Sequence, residues 1–108
     1  GTKNLEAHVG LKQLLLKHAN EGKKLAAICA APSILGKLGL LKGKEAVCFP
    51  GFEETLKGAI LSDKKVVQSG NIITGKAAGA AVEFGLKLVE NLKGKSAAEQ
   101  VGSSIFAF

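Results

Sequence analysis

The sequence predicts an α/β layer with a mostly parallel sheet. Apolar runs of about four residues, Leu25–Ile28 and Ala46–Phe49, are too short for helices and suit buried parallel strands. Segments with helical spacing lie between such runs, and strands alternating with helices build parallel α/β layers. The 108 residues are enough for one small domain with a modest core, and 46% hydrophobic against 22% charged residues marks a globular chain.

Each element has its own warrant. Residues 3–20 read as one amphipathic helix, with Leu5, Val9, Leu15 or Leu16, and Ala19 near helical spacing. Thr2 or Asn4 can cap its start, and Asn20-Glu21-Gly22 ends it. Leu25–Ile28 is the first strand. A helix over Ala30–Leu38 follows: Pro32 suits a first turn, where its missing N–H is no loss, and Gly39 suits the C-terminal cap. Ala46–Phe49 is a second strand, broken by Pro50-Gly51. Phe52–Lys57 has room for one or two helical turns. Val66–Gln68 and Ile72–Thr74 are strands joined through Ser69-Gly70-Asn71 as a hairpin. Ala78–Leu92 is a long helix with an inner face of Ala78, Ala81 or Val82, Gly85, Leu88 or Val89, and Leu92. Ser96-Ala97-Ala98-Glu99 has the form of a capping box, which starts a last helix at Ala97.

Composition removes several function classes. The formal charge is +6, but every cationic side chain of the basic set is lysine, and the five aromatics are all Phe. Arginine supplies the commonest specific base contact, so the chain does not read as a nucleic-acid binder, and the scattered lysines fit a solvated surface. No apolar stretch approaches the roughly 18 residues that span a membrane. The polar opening GTKNLEAH is not that of a signal peptide. Two cysteines form no disulfide framework, which fits a reducing cytoplasm. His8 and His18 fall on nearly opposite sides of the first helix and read as surface residues. With the cysteines so dispersed, no zinc spacing appears and no metal is expected. No cofactor is expected either. Gly94-Lys95-Ser96 imitates the end of a P-loop, but Val89 stands where the leading glycine belongs and no strand precedes it.

Sites in open α/β sheets lie at the carboxyl ends of strands. Cys29, Cys48 and the Thr74–Gly79 loop all lie at predicted strand ends, so they can converge. Cys29 between a buried strand and a helix would meet that helix's unpaired N–H groups, which favour a thiolate. A sharp turn there exposes the thiol and leaves room only for small neighbours, as Ala27, Ala30 and Ala31 are. The alternative is a buried packing cysteine. Cys48 has the same two readings, a second redox thiol or a structural cysteine. Gly75-Lys76-Ala77-Ala78-Gly79 runs into a helix start that can hold an anion, with Lys76 adding charge; a plain connection is the other reading.

The stretch LAAICAAPSILGKLGLLKGKEAVCFPGFEE, followed by GNIITGKAAGAAVEFGLKLVENLKGK, resembles the DJ-1/ThiJ/PfpI family, in particular its bacterial ThiJ-like branch. The resemblance implies a three-layer sandwich with flavodoxin-like, class I glutaminase-like topology. It places residues 1–108 as the C-terminal portion of a single domain, with the N-terminal strands missing from this chain. It implies that Cys29 is the nucleophile of a strained elbow and that the Ala30 N–H is one oxyanion donor. The portion outside the chain would supply a glutamate that hydrogen-bonds the thiolate and a glycine N–H, and would be the first partner. Cys48-Phe49-Pro50 departs from members with a histidine before this proline, which removes an obvious base. Cys48, Gly75 and Lys76 are the further binding candidates. The resemblance implies glyoxalase- or deglycase-type chemistry on small aldehydes, and a homodimer. The alternative is a redox-sensing or stress-protective chaperone, with Cys29 oxidised reversibly. A thiamine (thiazole phosphate) biosynthesis label would follow the ThiJ name alone; no residue here supports that chemistry.

Overall fold

The computed structural model describes residues 1–108 and opens with two helices, α1 (Thr2–Ala7) and α2 (Val9–Asn20). The single helix expected over 3–20 is divided at His8. That residue is extended (φ −81°, ψ 105°), and its Nδ1 accepts the Leu11 N–H at 2.9 Å. An acceptor at this position satisfies a donor that a helix start leaves unpaired, so the chain begins a second helix. Gly1, not Thr2 or Asn4, occupies the cap position of α1. Gly22 at φ 71° follows the end of α2, within the expected stop.

Next come β1 (Leu25–Ile28), α3 (Pro32–Lys37) and β2 (Glu45–Ala46), then a 3-10 turn at Glu53–Thr55 and β3 (Ile60–Leu61). The hairpin of β4 (Val66–Ser69) and β5 (Ile72–Gly75) follows, then a 3-10 turn at Ala78–Ala80, α4 (Ala81–Lys93) and α5 (Lys95–Ser104). The sheet order is β1-β5-β4. β1 runs parallel to β5, β5 antiparallel to β4, and β2 and β3 form a separate parallel pair. Ser69 faces Ile72 across the two-residue turn Gly70-Asn71. Gly70 at φ 60° fits the first central position of a primed turn, whose twist matches the strands.

The residues between the expected boundaries explain the differences. The second strand is laddered only at Glu45–Ala46. Beyond it the Val47 N–H donates to the Thr74 hydroxyl at 3.0 Å and the Phe49 N–H to the Cys29 carbonyl at 2.7 Å, so Val47–Phe49 has no strand neighbour. β3 was not expected; it is only two residues long, with both side chains exposed. α3 is shorter than Ala30–Leu38 because residues 29–31 form a turn. α5 begins at Lys95, and no side-chain capping bond forms, so the Ser96–Glu99 capping box is absent.

Period-two alternation divides the strand side chains between two faces. Leu25, Ala27 and Ile72 join Leu35, Leu41, Ala46, Cys48 and Leu56 on the α3 side, with Leu15 and Ala19 of α2 against them. Val66, Ile73 and Ala80 pack with Phe84 and Leu88 on the α4 side. The α4 inner face is thus Phe84 and Leu88, whereas Val82 and Leu92 are exposed. Each fully buried Leu or Ile contributes about 1.5–3 kcal/mol relative to exposure. The result is helices on both faces of a sheet, with β1, β5 and the segment after β2 ending on one side.

Candidate active site

After Ile28, which pairs with Gly75, the chain turns through Cys29, Ala30 and Ala31 into α3. Cys29 sits at φ 67°, the left-handed region that costs a non-glycine residue about 1–2 kcal/mol. Two backbone bonds hold it there. Its N–H donates to the Gly75 carbonyl at 3.0 Å, and its own carbonyl accepts the Phe49 N–H at 2.7 Å. The Ala31 N–H donates to Ile28 at 3.2 Å. The Ala30 N–H between them donates to no protein acceptor. Cys29 and Ala30 are both half-buried on this turn. α3 has only six residues, so presentation comes from the strained turn more than from a long helix.

Gly75 supports this turn. It is buried, and a Cβ there would stand 2.9 Å from both Ile28 Cγ1 and Phe84 Cδ1. Its carbonyl positions Cys29, and it offers no surface of its own to a ligand. Cys48 is 4% exposed within the aliphatic core on the α3 side. Burial pushes its thiol up, and the Glu53 carboxylate adds to this. Such a thiol stays protonated, which matches the packing reading of Cys48.

Lys76 is half-buried. Its N–H donates to the Lys65 carbonyl at 2.9 Å, and it borders a cleft of about 160 Å³ with Lys65, Ala77, Gly79 and Ala80. Glu53 is a charged group near these residues that sequence reading passed over. Its own N–H and that of Gly51, which reaches Oε1 at 2.7 Å, hold the carboxyl below the usual range, with Lys76 a smaller influence. The signal was an acid two residues after Gly51, close enough to fold back onto the turn. Phe49 and Phe52 lie exposed on this same segment. His8 stands at the junction of the first two helices and His18 on α2.

A profile of the DJ-1/PfpI family matches residues 1–91. The chain belongs to the DJ-1/PfpI family. Among curated DJ-1/PfpI relatives, protein dj-1beta of Drosophila melanogaster is 38% identical over 94 residues, covering 85% of this chain and 50% of the relative. The glutathione-independent glyoxalase DJR-1.2 of Caenorhabditis elegans is 34% identical over 83 residues, covering 76% of this chain and 45% of the relative. The solved structure of oxidized Toxoplasma gondii DJ-1 superposes with a TM-score of 0.91 at 33% identity, covering 98% of this chain and 58% of the other. The DJ-1/PfpI fold, a flavodoxin-like three-layer α/β sandwich, is therefore that of this chain. The chain spans about half the length, or less, of the curated relatives it matches.

Proposed function

We propose that Cys29 is the nucleophile of a cysteine-dependent glyoxalase- or deglycase-type site for small aldehydes. The carrying observation is the unpaired Ala30 N–H beside a half-buried thiol on a left-handed turn. The Cys29 sulfur adds to an aldehyde carbon, a C–S bond forms, and the carbonyl π pair moves onto oxygen. The Ala30 N–H stabilises that oxyanion. With a 2-oxoaldehyde, a proton moves from the hemithioacetal carbon to its neighbour, and water releases the hydroxy acid and the thiol. The glyoxalase name of the nematode relative supports this reaction class.

The reading includes a second polypeptide portion. We place residues 1–108 as the C-terminal portion of one domain. β1, the strand that leads into Cys29, stands at the sheet edge with Ala26 exposed, although Leu25 and Ala27 are buried. An N-terminal portion pairing along that edge covers it and brings the proton-transferring glutamate implied by the resemblance. Self-association into a homodimer in the cytoplasm completes the proposal. The test is methylglyoxal conversion to lactate by this chain joined to the N-terminal portion of a relative. The Cys29→Ala variant is expected to lose turnover, and equal rates reject the reading.

A second reading has its own support in the oxidized DJ-1 structure among the neighbours. In this reading Cys29 is a redox sensor: its thiolate attacks one peroxide oxygen, the O–O bond breaks, and the other oxygen leaves as hydroxide that takes a proton from solvent, giving a sulfenic acid. Mild peroxide and peptide mass spectrometry test it, and absence of selective oxygen addition at Cys29 rejects it.

A further inference from the structure

β4 is the outer strand of the three-stranded sheet, opposite the β1 edge. Its backbone polarity follows from the register. The Lys76 N–H donates to Lys65, and Val67 and Ser69 face Thr74 and Ile72 in the same bonded phase. The N–H and C=O groups of Val66 and Gln68 therefore point away from β5. None of these four groups is bonded elsewhere in the protein. They line a cleft of about 520 Å³ that Glu45 bounds from the β2 side and Lys87 from α4, with Lys64 at one end and Gly70 at the other. The Lys44 Nζ rests against Gly70. Lys44 and Lys64 make no ion pair; Lys87 pairs only with Glu90, on its own helix.

We propose that this cleft takes an extended peptide segment with acidic side chains, added as a strand along the β4 edge. Alternate residues of the added strand exchange N–H···O=C bonds with Val66 and Gln68, which supplies affinity without reading sequence. Lys44 and Lys64 are free of ion pairs and Lys87 is shared with Glu90, so against the Glu45 carboxylate the cleft keeps a positive balance that selects acidic side chains over basic ones. A second copy of this chain fits less well. Its own edge presents the same lysines, and edge lysines oppose self-pairing. Pairing at β1 leaves this site open, so the inference stands apart from the proposed chemistry at Cys29.

Gln68→Pro tests it directly. Proline removes only the outward N–H of an edge position, which such strands tolerate. Gln68→Val keeps that N–H while losing the side-chain bonds to Asn91, and so controls for them. The probe is a fluorescein-labelled peptide of alternating Glu and Val, with a Lys-Val counterpart, followed by anisotropy on the full chain. We expect the Glu-Val peptide to bind, Gln68→Val to bind within threefold, and Gln68→Pro to bind at least tenfold more weakly. Lys64→Glu with Lys87→Glu should weaken it similarly and favour the Lys-Val peptide. Hydrogen exchange at the Gln68 amide should slow at least tenfold with peptide bound. Equal binding by Gln68→Pro, equal binding of the two peptides, no binding, or concentration-dependent self-pairing through β4 would each overturn the proposal.

Discussion

Two cysteines in one small domain behave differently because their surroundings differ. Cys29 is half-buried on a turn, whereas Cys48 lies among Leu25, Ala27, Leu35 and Leu56. Thiol titration with a disulfide reagent should therefore show one fast equivalent in the native chain and a second only on unfolding; two fast equivalents would contradict the burial of Cys48. The raised Cys48 thiol also has a pH signature. The unfolded chain loses this proton near pH 8.5, and the folded chain only at higher pH. The unfolded state then binds fewer protons, so stability falls with rising pH. The contribution is complete below the ordinary thiol value and disappears as pH passes the raised one. Urea midpoints from pH 7 to 10 should decline less steeply in Cys48→Val than in the parent; parallel curves would remove Cys48 as the cause. At Cys29 the informative pair is glycine against alanine. Both remove the thiol, but only glycine relieves φ 67°. Glycine's looser unfolded chain offsets part of the relief, so Cys29→Gly should be about 1 kcal/mol more stable than Cys29→Ala. Alanine equalling glycine would show that the turn relaxes once the sulfur is gone.

At the element scale, His8 sets where two helices meet. Removing its Nδ1 acceptor from the Leu11 N–H should cost about 1 kcal/mol in His8→Ala, while His8→Asn should retain most of the stability. Equal losses in denaturant titrations would reject capping. The same residue shows why some elements were legible and others not. β1 was legible because four apolar residues between breakers admit few alternatives. The hairpin was legible because Gly70-Asn71 selects a turn. The α1–α2 break was not, because apolar spacing continues through His8 and only a local cap interrupts it. β3 was hidden because Ile60–Leu61 is only two residues long, too short to show an alternating pattern. At the candidate site, the turn at Cys29 was legible from a strand-to-helix boundary flanked by alanines, whereas the Ala30 N–H entered only through the family resemblance. The support from Gly75 and Phe49 was not, since it depends on which strand lies next to β1. Glu53 was missed although it stands two residues after Gly51, because the backbone N–H groups that hold its carboxyl converge only once the turn is folded.

Across the whole molecule, apolar exposure follows the open boundaries of the fold. Leu5, Val9 and Leu14 are exposed on the first two helices, Ile60 and Leu61 on β3, and Leu92, Ile105, Phe106 and Phe108 around the last two helices. Single exposed apolar residues are ordinary, and this set lies on several separate elements, where the proposed N-terminal portion would have apolar surface to meet. β1 adds an open edge on the strand that leads into the left-handed turn at Cys29. If an N-terminal portion closes that edge, binding it must stabilise this chain by mass action, because the partner has no such surface to meet on the unfolded state. For about 100 residues, each kcal/mol gained raises Tm by roughly 4–8 °C. Co-expression with the N-terminal portion of a DJ-1/PfpI relative should therefore raise the Tm of residues 1–108 by at least about 4 °C. It should also lower the fluorescence of a hydrophobic dye bound to the chain. Amide exchange locates the effect: Ala26 should gain protection, while Gln68 on the opposite edge should not. Protection at Gln68 with none at Ala26 would mean that the added portion pairs at β4, and the arrangement proposed around Cys29 would fall.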